Sequence, residues 1–195
     1  MNAEINVENT ILKTERLLLR PWKQEDLNDL YAYASVDGVG QMAGWLPHQS
    51  IEESQTILNM FINEKKTFAI VKDNHVIGSL GIEKYNEEQF PEFEHERCRE
   101  IGYVLSKDYW GQGLMPEAVK EVIRWLFEDI GLDVIFCGHF LRNDQSARVQ
   151  EKCGFHPYAY GIFRTYYGTA EGNVMNILYR EEYMQACNIK KRAIS

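Results

Sequence analysis

The residues whose types and spacing could do chemistry are concentrated in Tyr109-Trp110-Gly111-Gln112-Gly113-Leu114-Met115-Pro116-Glu117. Glycines there let the backbone approach a ligand with its N–H groups free. Pro116 predicts the first turn of a helix, whose positive end would favour an anion at the same place. A pyrophosphate is the natural guest. Two common phosphate patterns are excluded: G-x-x-x-x-G-K-[ST] is absent, and in G-x-G-x-x-G the third glycine is replaced by Pro116. Taken alone, Gly111-x-Gly113 is equally a plain tight turn. A second feature is Asn86–Glu100, which carries Glu87, Glu88, Glu92, Glu94, Glu96 and Glu100 against Arg97 and Arg99. It would draw in a cationic amine, or serve only as a solvated loop. The five histidines, at 48, 75, 95, 139 and 156, show no metal spacing, so no metal is expected. Four cysteines, at 98, 137, 153 and 187, form no C-x-x-C pair and read as reduced, small hydrophobes.

The elements that must position these residues follow from periodicity. Thr14–Pro21 reads as a strand. Gln24–Ala34 places Leu27, Leu30, Tyr31 and Ala34 on one helical face. Ser50 and Glu53 form an S-x-x-E capping box that opens a helix with Ile57, Leu58, Phe61 and Ile62 inside. Between these helices, Asp37–His48 holds Met42, Trp45 and Leu46, and either lines a ligand site or covers the core. Thr67–Val71 and Val76–Tyr85 make a hairpin, and Arg99–Leu105 is a further strand. A helix from Pro116 to about Asp129 buries Val119, Val122, Ile123, Leu126 and Phe127. Val134–Phe140 is an apolar strand, Asp144–Cys153 a helix, and Phe155–Arg180 two strands around a turn. Strand, helix, strand from Arg99 to Phe140 implies a right-handed crossover and a parallel pair. Lys190–Arg192 reads as a frayed, solvated basic tail.

The 195 residues suit one domain, with 45% hydrophobic and 26% charged residues in the ordinary globular range. The 21 basic and 29 acidic residues leave a net charge of −8, which speaks against nucleic-acid binding by bulk charge and suits amine-bearing partners. Met1–Thr10 has Glu4 and Glu8 and no apolar run, and no stretch reaches the ~20 apolar residues of a membrane span. A cytoplasmic protein without membrane association is expected.

Glu100–Val119 (EIGYVLSKDYWGQGLMPEAV) together with Asn143–Phe155 (NDQSARVQEKCGF) resembles the GNAT superfamily of acetyl-coenzyme A-dependent N-acetyltransferases. The flavour is that of its ribosomal-protein N-terminal acetyltransferase branch, which Thr14–Trp22 (TERLLLRPW) also fits. The resemblance implies a single-domain α/β fold: a mixed sheet of about seven strands with a splayed parallel pair and about four helices. Its expected extent is residues 14–183, with an N-terminal extension over 1–13 and a tail over 184–195.

The family's pyrophosphate loop, Q/R-x-x-G-x-G/A, is matched by Gly111 and Gly113, while Trp110 stands at the usual Gln/Arg and Met115 at the usual Gly/Ala. The backbone N–H groups of Gly111, Gln112, Gly113, Leu114 and Met115 should therefore grip the phosphates. Tyr103, Val104 and Leu105 would pair by their backbone with the pantetheine arm, between strands that splay at their carboxyl ends. Asn143 would hydrogen-bond the arm, and Lys152 or Arg148 would meet the 3′-phosphate. The tyrosine many members carry in the E-K-x-G-F helix is replaced by Gln150. Ser146 then either protonates the leaving sulfur, binds the arm, or caps its own helix turn. Strand alternation puts Glu100 on the face of Gly102 and Val104, as a base or water-orienting group or as a solvated strand end. Glu117, in the first helical turn, answers to the helix dipole.

These implications describe direct transfer of acetyl from acetyl-coenzyme A to a primary amine, a peptide amino terminus ahead of a small molecule. A homodimer would be common for such a protein. Two other classes stay open: a non-catalytic acyl-coenzyme A sensor, and a nucleotide-phosphate binder using the same turn.

Overall fold

The computed structural model describes residues 1–194, and side chains as far as Ile189. The expected solvated tail at Lys190–Arg192 lies outside the described side chains. Its backbone belongs to a closing helix.

Eight strands and five helices follow in the order β1 (Leu12–Lys13), β2 (Leu18–Pro21), α1 (Leu27–Ala34), α2 (Ile51–Glu64), β3 (Thr67–Lys72), β4 (His75–Glu83), β5 (Cys98–Leu105), α3 (Leu114–Arg124), β6 (Val134–Phe140), α4 (Asp144–Lys152), β7 (His156–Arg164), β8 (Ala170–Tyr179) and α5 (Arg180–Ile194). They build one mixed sheet in the order β1-β2-β3-β4-β5-β6-β8-β7. Every neighbouring pair is antiparallel except β5 with β6, which the α3 crossover makes parallel.

The sheet has one strand more than the sequence pattern predicts. Thr14–Pro21 does not run straight: Thr14 and Leu17 exchange a turn, with Thr14 N–H donating to Leu17 O (3.0 Å) and Leu17 N–H to Thr14 Oγ1 (2.9 Å). The turn splits the segment into β1 and β2. The fifth helix is also additional. Its pattern is mostly polar, and it docks through Tyr183, which lies 5.3 Å from the Phe127 ring and donates to Glu128 Oε1 (2.6 Å). Residues 1–11 lie against the sheet, with Ala3 and Val7 buried and Asn2 bridging to Cys98, and lead into β1, whose Leu12 is buried.

Two helical layers cover the sheet. On one face α1 and α2 bury Leu30, Tyr33 and Leu58 against Ala69, Val71 and Val76. On the other, α3 buries Leu114, Val119, Val122 and Ile123 against Leu80, Ile82, Ile101 and Ile135. The predicted cap of α2 is present: Ser50 Oγ accepts the Glu53 N–H, while the Glu53 carboxylate takes the Gln49 N–H rather than that of Ser50. The β3–β4 hairpin turns on Asp73 and Asn74, both at positive φ as a tight primed turn requires. Helix α3 starts at Leu114, two residues earlier than Pro116 suggests. Pro116 stays inside the first turn, where its missing N–H costs no hydrogen bond.

Candidate active site

Parallel pairing between β5 and β6 covers only Cys98↔Val134, Arg99↔Ile135 and Glu100↔Phe136. Beyond that point β5 stays paired with β4 as far as Leu105, and β6 with β8 as far as Phe140. The two strands therefore diverge, each with one edge turned to the other and unpaired. A cleft of about 710 Å³ opens in this gap.

Strand alternation sends successive side chains to opposite faces. Ile101, Tyr103 and Leu105 point to the α3 and α4 layer, while Glu100, Gly102 and Val104 point to the α1 and α2 layer. The gap thus has two chemically different mouths.

At the α3 mouth, Gly111 and Gly113 adopt φ of +73° and +74°, a left-handed conformation that glycine holds without strain. A side chain would strain both positions. Among the described residues, the N–H groups of Gly111 to Met115 donate no hydrogen bond, and they stand at the α3 N-terminus. Trp110 faces inward: its indole N–H donates to Leu105 O (2.8 Å), which locks the end of β5 to the loop. Glu117 is bound from below by Arg16 (2.6 Å), by the Arg16 N–H (2.8 Å) and by Thr14 Oγ1. Burial opposes its charge, but these donors outweigh it and hold the carboxyl below its ordinary range. This explains both the early turn in the Thr14–Pro21 segment and why Glu117 has no free carboxylate. Arg148 and Lys152 project one helical turn apart from α4 and line the same mouth.

Asn143 caps α4, its Oδ1 accepting the Ser146 N–H (3.1 Å), and its Nδ2 donates to Met42 O (3.3 Å). One amide hydrogen is left. Ser146 sits at the centre of a side-chain network that the sequence pattern did not disclose. Asn176 Nδ2 donates to Gln150 Oε1 (2.6 Å), which fixes the amide of Gln150. Gln150 Nε2 then donates to Gly138 O and to Ser146 Oγ, each at 3.1 Å. Tyr103 places its hydroxyl 3.0 Å from Ser146 Oγ. The same hydroxyl reaches Ser146 O (3.4 Å), so with Tyr103 donating to both Ser146 oxygens, the Ser146 O–H is the donor left beside the gap. Burial pushes the Tyr103 phenol well up, so it stays protonated. A buried asparagine inside the apolar run Val174–Tyr179, and Gln150 four residues after Ser146, were the available sequence signals.

At the other mouth, Glu100 reaches toward β6. A Cβ built on Gly138 would lie 3.6 Å from Glu100 Oε1 and 3.5 Å from Met175 Cε. Burial, with Glu83 adding repulsion from the neighbouring strand, raises the Glu100 carboxyl to about 7. No hydrogen-bond partner meets it among the described residues. The remaining glutamates of the Asn86–Glu96 connection stay out of the cleft, where only Asn86 and Gln89 of that segment reach. Instead the connection packs Phe90 and Phe93 on Phe136, and Tyr158 donates to Glu92. In Asp37–His48, Val39, Met42 and Ala43 line the cleft, while Gly40 packs under the Trp45 ring, which lies against the α1 and α2 core.

No described helix is long and apolar enough to cross a membrane. An unpaired strand edge, a row of free N–H groups and a cleft of this volume suit an elongated diphosphate-bearing thioester. The sequence pattern described as "Acetyltransferase (GNAT) domain" matches residues 16–156. The chain is 29% identical over 163 residues to the N-acetyltransferase YoaA of Bacillus subtilis, covering 80% of this chain and 87% of that one. Its fold is similar to the ribosomal-protein-S5-alanine acetyltransferase of Vibrio fischeri, with TM-score 0.68, 22% identity and 88% and 97% of the two chains covered. It is also similar to the spermidine N-acetyltransferase of Vibrio cholerae solved with CoA and spermine, with TM-score 0.72, 16% identity and 88% and 99% covered. Those two structures share the fold and differ in the acceptors their names state. The chain belongs to the GNAT acetyltransferase family and is an acetyl-coenzyme A-dependent N-acetyltransferase.

Proposed function

We propose that the protein transfers acetyl directly to a primary amine in a ternary complex, a peptide amino terminus being favoured over a small molecule. The observation that carries this reading is the strand divergence after Glu100↔Phe136, with a proton acceptor on one face of the gap and a proton donor on the other. Acetyl-coenzyme A supplies an acetyl group on a thioester. The free N–H groups of Gly111 to Met115 hold its diphosphate, the open edge at Tyr103–Leu105 pairs with its arm, and Lys152 or Arg148 meets its remaining phosphate. The spare hydrogen of Asn143 also faces the arm.

An amine attacks only when neutral, and most amines are protonated near pH 7. Glu100, with its carboxyl near 7, takes that proton, directly or through a water. The spare proton of the Tyr103–Ser146 pair is offered on the opposite face, where the sulfur must leave. The amide side chains of Asn86, Gln89 and Asn173 in the acceptor half favour a peptide backbone.

Two measurements test this. Acetyl-coenzyme A at about 100 times its dissociation constant should stabilise the protein by about 2.7 kcal/mol. Thiol release should then appear with a peptide or small amine. ATP stabilising the protein while acetyl-coenzyme A does not would overturn the reading.

A further inference from the structure

We propose that the acceptor half of the cleft selects primary amines that bear an apolar arm and carry neither a carboxylate next to the amine nor a second ammonium. This deepens the amine-acetylation reading above and rests on it.

The first observation is shape. Gly102 and Gly138 leave the strand floor bare beside Glu100; a Cβ at Gly102 would meet nothing within 4 Å. Glu100 Oε1 and the Met175 Cε flank the same spot over Gly138, at 3.6 and 3.5 Å from its would-be Cβ. An amine seated at Glu100 therefore has its first carbons against the Met175 thioether. The walls beyond are Met42, Phe140 and Phe163, with the two rings 5.6 Å apart. Unbranched methionines adapt to arms of different shape.

The second observation is charge. Arg148 and Lys152, the Arg and Lys side chains that line the cleft, both sit on α4 at the cofactor mouth; His139, which also lines it, shares the strand face of Cys137 rather than that of Gly138, and its Nδ1–H donates to Phe140 O (3.0 Å). Arg142, which reaches Gln41 O in the Asp37–His48 segment (3.4 Å), is held by both oxygens of Glu171 (3.1 Å each). A free amino acid would bring its carboxylate next to Glu100 with no cation to meet it. A polyamine would bring a second ammonium with no second carboxylate. Glu83, the register partner of Glu100, is bound by Lys66 (2.6 Å), and the glutamates of the connection lie outside the cleft. An unpaired charge taken out of water is strongly disfavoured. The chemistry that fits is shared by an alkyl- or arylalkylamine and by a peptide whose first residue is apolar.

The test compares kcat/KM for thiol release from acetyl-coenzyme A with phenethylamine, phenylalanine, spermidine and a hexapeptide amide beginning with Met. Phenethylamine and phenylalanine differ by the carboxylate alone. Phenethylamine and the peptide should each exceed both phenylalanine and spermidine by at least about tenfold, and the larger of the two names the source. Met175→Glu should reverse the phenethylamine-to-spermidine preference by about tenfold. If that variant melts out, Met42→Glu, on the half-buried turn, provides the same comparison. Phenylalanine or spermidine equalling phenethylamine overturns the proposal while leaving acetyl transfer intact. Thiol release with none of the four amines, with acetyl-coenzyme A still raising the melting temperature, sinks the acetyl-transfer reading instead.

Discussion

Replacing Glu100 with glutamine reads the site through stability as well as rate. The carboxyl is raised from its ordinary 4.5 to about 7, so the folded protein keeps a proton that the unfolded chain releases. Below about 4.5 both states are protonated and the contribution to stability is fully present. As pH rises through 7 it is lost, because the folded state must then hold a half-buried charge with no hydrogen-bond partner among the described residues. At about 1.4 kcal/mol per pKa unit, wild type at pH 8 lacks about 3 kcal/mol that it has at pH 4. Glu100→Gln carries no such charge at any pH. Its melting temperature should match wild type near pH 4.5, rise above it as pH increases, and level off past pH 7. For a domain of this length the gap should reach roughly 6–12 °C. Thermal melts of both proteins across pH 4.5 to 8.5 measure it. In parallel, kcat/KM for the amine should rise through about pH 7 in wild type, and fall about 10²-fold or more in the variant. A variant that is less stable than wild type at pH 8 would show that the carboxylate is paired or well hydrated, and the argument for a poised base would collapse.

Other sites yield further expected outcomes. Ser146→Ala should lower kcat more than it changes the KM for acetyl-coenzyme A, and Tyr103→Phe should do the same more weakly; a pure KM effect in both would assign the pair to binding. Asn143→Ala should raise the KM for the cofactor and cost about 1 kcal/mol of stability as a lost helix cap, read in cofactor titrations and melts; unchanged cofactor kinetics would contradict its placement at the arm. Gln150→Leu should destabilise by about 2 kcal/mol or more, since it leaves Asn176 and the Gly138 carbonyl without their partner; a denaturation curve like that of wild type would refute the network.

Local patterns were enough to reveal much of the fold. Three helices announced themselves through apolar spacing, Ser50 marked a cap, and the strand–helix–strand order from Arg99 to Phe140 implied a parallel pair, which β5 and β6 form. Gly111 and Gly113 marked a tight turn, and the structure gives both the positive φ that few other residues adopt without strain. Helix α5 escaped because its docking rests on Tyr183, a long-range contact with no periodic signal.

The site divides along the same line. Which chemistry was on offer could be read from the chain, because a residue's donors, acceptors and backbone freedom are properties of its type. Glu100, Ser146, Asn143 and the glycine turn were visible as candidates. Which of those groups is free and which is spent emerges only once distant segments meet. Thr14 and Arg16 tie up Glu117 from about a hundred residues away, Trp110 turns inward to Leu105, and Asn176 orients Gln150 and through it Ser146. The raised carboxyl of Glu100 likewise belongs to no local pattern. It is set by burial in the gap and by Glu83 on the neighbouring strand. Protonation and hydrogen-bond availability depend on the surroundings packed around a group, and those surroundings exist only in the folded chain.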